Sequence, residues 1–188
     1  MKLGRGGALL LVDIQRDFCA GGALAVPDGD AVVRVVNRWI EQARSEGVPV
    51  IASRDWHPTG HVSFEERGGP WPPHCVRDTP GAAFHPDLRL PADAIIVSKG
   101  TEPDRDAYSA FDGTDLAERL RAERVARLWV GGLALDYCVR ATVLDALAMG
   151  FEVHLIREAT RSVDARPGDG EAALAQMNDA GAVVERSA

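Results

Sequence analysis

Three apolar runs of this 188-residue chain end in side chains that could do chemistry together. Ala8-Leu-Leu-Leu-Val-Asp13 closes on a carboxylate and Ala94-Ile-Ile-Val-Ser-Lys99 on an ammonium. Leu128-Trp-Val-Gly-Gly-Leu-Ala-Leu-Asp-Tyr-Cys138 passes through two glycines to a thiol at the start of an amphipathic stretch. A thiol near a helix N-terminus is favoured as thiolate by the dipole, and the free N–H groups there can stabilise an oxyanion when sulfur attacks a carbonyl. A single apolar-flanked cysteine is more often a small core residue. Asp13 and Lys99 alter that balance, because residues at the carboxyl ends of parallel strands converge on one crevice.

A second group follows another strand-like run. Asp55 and His57, if still extended, point to one face by their i, i+2 spacing, as two ligands of one ion require. His74, brought back by the bend in Trp71-Pro-Pro-His74, completes a carboxylate-plus-imidazole set with positions left for water or substrate, and His61 is a fourth ligand or a water partner. One loop histidine alone would be read as solvated. Three after a single strand, beside a carboxylate, point to a metal.

The elements that must hold these groups alternate. Ala31 to Ala43 carries Val32, Val35, Val36, Trp39, Ile40 and Ala43 on one helical stripe, with Asp28 or Asp30 as N-cap and Gly47 beyond its end. Val48 to Arg54 reads as a strand, about Thr114 to Glu123 as a helix, Val125 to Val130 as a strand and Asp136 to Met149 as a helix. Phe151 to Ile156 is a further strand, about Asp169 to Ala180 a last helix, and Ala182 to Glu185 a final short strand. Such alternation predicts βαβ units with right-handed crossovers, a Rossmann-like parallel sheet with helices on both faces, in one domain over 1–188. The stretch from Trp56 to Pro91 breaks the rhythm; a loop that long in a compact domain is usually functional. Gly131-Gly132 is not a dinucleotide turn, since no G-x-G-x-x-G follows the first strand.

Composition narrows the class. A formal charge of −7 offers no basic surplus for nucleic acid or anionic membranes. Three cysteines, an odd number without a secretory signal, indicate a reducing compartment, and no apolar stretch approaches a membrane span; the expectation is a cytoplasmic protein. Cys19, Cys75, His85 and His154 lack chemical partners in the pattern and read as packing or structural residues.

Taken jointly, Val12-Asp13-Ile-Gln-Arg-Asp-Phe18, Asp55-Trp-His57, Trp71-Pro-Pro-His74-Cys, Lys99, Asp106-Ala-Tyr-Ser-Ala-Phe111 and Gly132-Leu-Ala-Leu-Asp-Tyr-Cys138-Val resemble the nicotinamidase branch of the isochorismatase-like cysteine hydrolases, over nearly the whole chain. The resemblance implies a sheet of about six parallel strands, an Asp13, Lys99, Cys138 triad, and a cis peptide before Ala134, whose N–H would join that of Cys138 in an oxyanion hole. It implies one divalent ion on Asp55, His57 and His74, zinc as first choice and iron or manganese as alternatives. Phe18 and Trp71 would wall the substrate ring, with Tyr108 and Leu133 beside it. The implied reaction is hydrolysis of nicotinamide, and of pyrazinamide, through a thioester in NAD salvage, with Lys99 and the helix terminus lowering the Cys138 pKa and Asp13 shuttling the proton. Leu135 departs from the family, which often has threonine there. Other small amide or carbamoyl substrates, isochorismate cleavage, and a non-catalytic ligand-binding module are the rival readings, and the protein is expected as a monomer or homo-oligomer.

Overall fold

A computed structural model describes residues 2–185. Six parallel strands form one sheet: β1 (Gly7–Val12), β2 (Val50–Asp55), β3 (Ile95–Lys99), β4 (Arg127–Leu133), β5 (Glu152–Arg161) and β6 (Val183–Glu185), in the spatial order β3-β2-β1-β4-β5-β6. Four α-helices accompany them: α1 (Ala31–Glu46), α2 (Leu116–Ala122), α3 (Arg140–Ala148) and α4 (Asp169–Asp179). No helix among these residues is long and apolar enough to cross a membrane.

The apolar runs of β1 and β4 are strands buried on both faces, whereas β3, at the sheet edge, leaves Ile96 exposed. In β1, Leu9 and Leu11 join a core with Val32, Val36 and Ile40 of α1, whereas Ala8, Leu10 and Val12 join a second core with Leu128, Val143, Leu155 and Met177. That division is the two-residue period of a strand. All six predicted stripe residues of α1 are buried. Asp30 does stand at its N-cap, but caps nothing there; its carboxylate takes the Ala20 N–H at 2.8 Å and faces His85 Nε2 at 3.2 Å, tying down the preceding loop.

Two elements differ from the sequence expectation. β5 continues past Ile156 to Arg161, because Thr160 and Arg161 pair with Gly132 and Leu133 across a register shift. The expected helix from Asp136 begins instead with a wider π-wound turn over 135–139, in which Val139 N–H reaches Ala134 O at 3.1 Å, and only then becomes α3. Such turns are frequent at functional sites, and Cys138 lies in this one.

Strand order reverses direction at the β1/β4 pair, the place where an open parallel sheet leaves a crevice beyond its carboxyl ends. Gly132 makes that pairing close: its φ is +132°, and a β-carbon there would stand 2.0 Å from Val12 O.

Candidate active site

Asp13 follows β1, Asp55 ends β2, Lys99 ends β3, and Cys138 lies in the turn after β4, so four adjacent strands deliver one side chain each to the same end of the sheet. Lys99 Nζ lies 2.9 Å from Asp13 Oδ2, 2.5 Å from Asp55 Oδ1, 3.2 Å from the Ala107 carbonyl and 3.5 Å from Cys138 Sγ. Asp13 Oδ1 accepts the Ser53 hydroxyl at 2.7 Å. Among the described residues its Oδ2, although close to the ammonium, has no well-aligned hydrogen bond, and charge holds it. One oxygen of each carboxylate and the Cys138 sulfur all lie within 4.8 Å of one another.

The electrostatics correct one expectation. Burial lowers the Lys99 pKa, but Asp13 and Asp55 outweigh it and hold the ammonium charged, well above its ordinary value. Burial pushes the Cys138 thiol well up and the two carboxylates push the same way, against Lys99. Without a metal on Asp55, one ammonium shared by two carboxylates leaves net negative charge around the sulfur and favours the thiol over the thiolate there. The Asp13 carboxyl is raised by burial and by Asp55, with Lys99 and Ser53 opposing, which makes it a stronger base than an exposed aspartate. Asp55 moves the other way. Burial would raise it, but Lys99 and His57 hold it far below the usual carboxylate range.

The second group converges beside the first. His57 Nδ1 lies 2.9 Å from the Gly100 carbonyl and His74 Nδ1 2.8 Å from the Pro72 carbonyl. Carbonyls only accept, so each Nδ1 carries the hydrogen, and in the neutral ring that a metal ligand must be, Nε2 keeps its lone pair. Those nitrogens face Asp55 Oδ2 at 3.6 and 4.0 Å. The edge between two ligands of a four-coordinate ion with bonds of about 2.0–2.2 Å is about 3.3–3.6 Å, so the donor set fits a divalent metal with little movement. The backbone carbonyls that orient both rings are the outer partners such a site requires. His61 does not join it: Nδ1 engages Ser63 Oγ at 2.7 Å and Nε2 the Arg105 carbonyl at 3.0 Å, while the ring stacks on His57 at 4.2 Å.

Cys19, Asp30 and His85 also lie close enough to suggest a metal site. His85 Nδ1, however, accepts the Asp87 N–H at 3.2 Å, which puts the hydrogen on Nε2, where it donates to Asp30. Burial and the Asp30 charge push the Cys19 thiol up to about 12. This group is a hydrogen-bonded loop anchor, in keeping with the packing role expected for Cys19.

A narrow cleft of about 40 Å³ opens on Cys138 and Asp55. Phe18, Trp71, His74, Tyr108 and Ala134 line it, as do Leu24, Val26, Tyr137 and Val163, which the sequence reading did not single out. Trp71 Nε1 donates to Tyr108 Oη at 2.9 Å, and Trp71 meets Tyr137 edge-on at 5.2 Å. Leu133 is not a wall residue; it is wholly buried in the core. The Leu133–Ala134 peptide is cis.

Two supporting residues also escaped the sequence reading. Gln15 Nε2 donates to the Asp55 carbonyl at 2.8 Å while its Oε1 accepts the Asp55 N–H at 2.8 Å, clamping the end of β2. Ser53 holds Asp13; its place two residues before Asp55, on the same strand face, was the available signal.

The model of the isochorismatase domain matches residues 7–188. The chain is 46% identical to a nicotinamidase of Escherichia coli, covering 94% of this chain and 93% of that protein. It is 39% identical to a nicotinamidase/pyrazinamidase of Mycobacterium tuberculosis, over 84% and 88%. Among solved structures, a pyrazinamidase of Pyrococcus horikoshii in complex with zinc superposes with a TM-score of 0.93 at 52% identity, covering 97% of this chain and 99% of that one.

Proposed function

This chain belongs to the isochorismatase domain family, and from that premise we propose that it hydrolyses nicotinamide to nicotinate and ammonia, and pyrazinamide likewise, as a metal-assisted cysteine amidohydrolase. One observation carries the proposal: Asp13, Lys99 and Cys138 share a buried cluster with Asp55, whose other oxygen faces His57 and His74, and the whole opens into one small aromatic cleft. The amide carbonyl is attacked by Cys138 sulfur as Asp13 takes the thiol proton. Proton transfer accompanies attack, and the raised basicity of Asp13 serves that step. The backbone N–H groups of Ala134 and Cys138 receive the oxyanion, a contribution of about 3–4 kcal/mol per donor in comparable sites. Asp13 returns the proton to the departing nitrogen, ammonia leaves, and a thioester remains. Water then attacks the thioester, giving one proton to Asp13; as the C–S bond breaks Asp13 passes that proton to the sulfur, restoring the Cys138 thiol, and the acid leaves as carboxylate with its remaining proton lost to solvent. Lys99 keeps two acidic side chains oriented throughout.

Asp55, His57 and His74 would hold the divalent ion, zinc by analogy with the Pyrococcus horikoshii pyrazinamidase structure. Bound there, it would supply a Lewis-acid anchor for the ring nitrogen of the substrate. Phe18, Trp71 and Tyr108 flank the ring. We read the chain as one domain acting in NAD salvage in the cytoplasm. The test is ammonia release over nicotinamide, pyrazinamide and N-carbamoyl compounds: turnover of the two ring amides is expected, and activity confined to the carbamoyl compounds would overturn the substrate assignment.

A further inference from the structure

Lys99 and Gly100 are consecutive, yet each serves a different half of the site. The Lys99 ammonium holds Asp55 Oδ1 and Asp13 Oδ2, and the next carbonyl, that of Gly100, takes the Nδ1 hydrogen of His57 at 2.9 Å. Gly100 has φ +59°, and a β-carbon built on it would stand 2.5 Å from His57 Cε1 and 2.7 Å from His57 Nδ1. Neither distance is tolerable between unbonded atoms. The ring has little room to retreat, since His57 is 1% exposed, stacks on His61 at 4.2 Å, and meets His74 and Phe64 edge-on at 5.0 and 5.6 Å.

We propose that Gly100 is a positioning residue for the metal site. Its carbonyl fixes the hydrogen on His57 Nδ1, and its missing side chain leaves the volume in which the ring turns Nε2 toward Asp55 Oδ2. The proposal rests on reading Asp55, His57 and His74 as ligands of one divalent ion. It goes further in locating a determinant of metal affinity at a residue with no donor side chain, just past the strand that carries the Lys99 cation. Any side chain at position 100 should therefore displace a ligand without removing it.

Zinc affinity measured by competition with a chromophoric chelator, for wild-type protein and Gly100→Ala, tests this directly. Zinc-free unfolding midpoints of wild type, Gly100→Ala, His57→Ala and the double variant separate a clash with the ring from backbone strain at positive φ. Gly100→Ala should bind zinc about 10- to 100-fold more weakly, the usual effect of disturbing an outer partner of a ligand. Its loss in midpoint should shrink once the His57 ring is gone, because the clash then has no partner. Zinc binding within twofold of wild type, or the same midpoint loss with and without the ring, would overturn the proposal. If Gly100→Ala does not fold, a folded double variant supports the clash, and a double variant that also fails while His57→Ala folds overturns it. Wild-type protein that takes up no zinc refutes the ligand reading itself, and the role of Gly100 with it.

Discussion

At the scale of single residues, the sulfur of Cys138 has its charge state set by neighbours and not by the turn that carries it. Cys138→Ala should lower amide hydrolysis by at least about 10⁴-fold without loss of fold, since a nucleophile, base and cation acting as a unit fail together; ammonia release and circular dichroism check the two halves. In metal-free protein the raised thiol pKa means that the thiolate fraction falls tenfold for each unit of pH below it. Iodoacetamide labelling of Cys138 should therefore keep accelerating through pH 9, whereas a plateau below pH 8 would indicate a resting thiolate. Ser53→Ala removes the one aligned hydrogen bond to the Asp13 carboxylate among the described residues and should cut kcat about tenfold with KM little changed, with Ser53→Thr restoring it. Steady-state kinetics on the two variants settle that point. The charged members of the site were legible because each interrupts an apolar run, a place where a polar group needs a reason. Ser53 and Gln15 were not, because neutral polar residues inside such runs look like ordinary variation until their partners, 40 residues away, are known. His61 shows the converse limit: residue type and spacing suggested a ligand, but both its nitrogens are spent on Ser63 and Arg105.

At the scale of elements, periodicity located every strand and helix of the sheet but not the irregularities that make it a site. The stripe of α1 was readable because its burial is one-sided. The continuation of β5 through Arg157 and Glu158 was not, because those polar residues stay in the strand only through pairing of Thr160 and Arg161 with the end of β4. The π-wound turn at Cys138 shares its composition with an ordinary helix start, so sequence pattern cannot separate the two. The tight contact of β4 with β1 has a measurable consequence. Gly132→Ala puts a methyl against Val12 O at an unfavourable φ and should destabilise the protein by about 2–3 kcal/mol or more in denaturant unfolding. A loss below about 0.5 kcal/mol would mean that the strands can part there at little expense.

At the scale of the whole molecule, Lys99, His57 and His74 are joined through Asp55 into one electrostatic unit, and on the proposed reading substrate choice should follow its histidine half. Chelator treatment, or His57→Ala, is expected to lower kcat/KM for nicotinamide by about 10²-fold, and benzamide, which lacks the ring nitrogen, should be a poor substrate throughout. Equal turnover of benzamide and nicotinamide by the native protein would mean that the histidines do not select the ring. The strand order also has a consequence for synthesis. β1, with every residue buried, lies between β2 and β4, yet β4 begins only at Arg127. Until that segment leaves the ribosome, the growing chain holds Asp13, Asp55, His57, His74 and Lys99 but not Cys138, and the β1 edge that β4 would pair has no partner. Prematurely ended chains that stop before β4 are thus chemically silent and prone to stick to one another, so quality control would meet them through that edge.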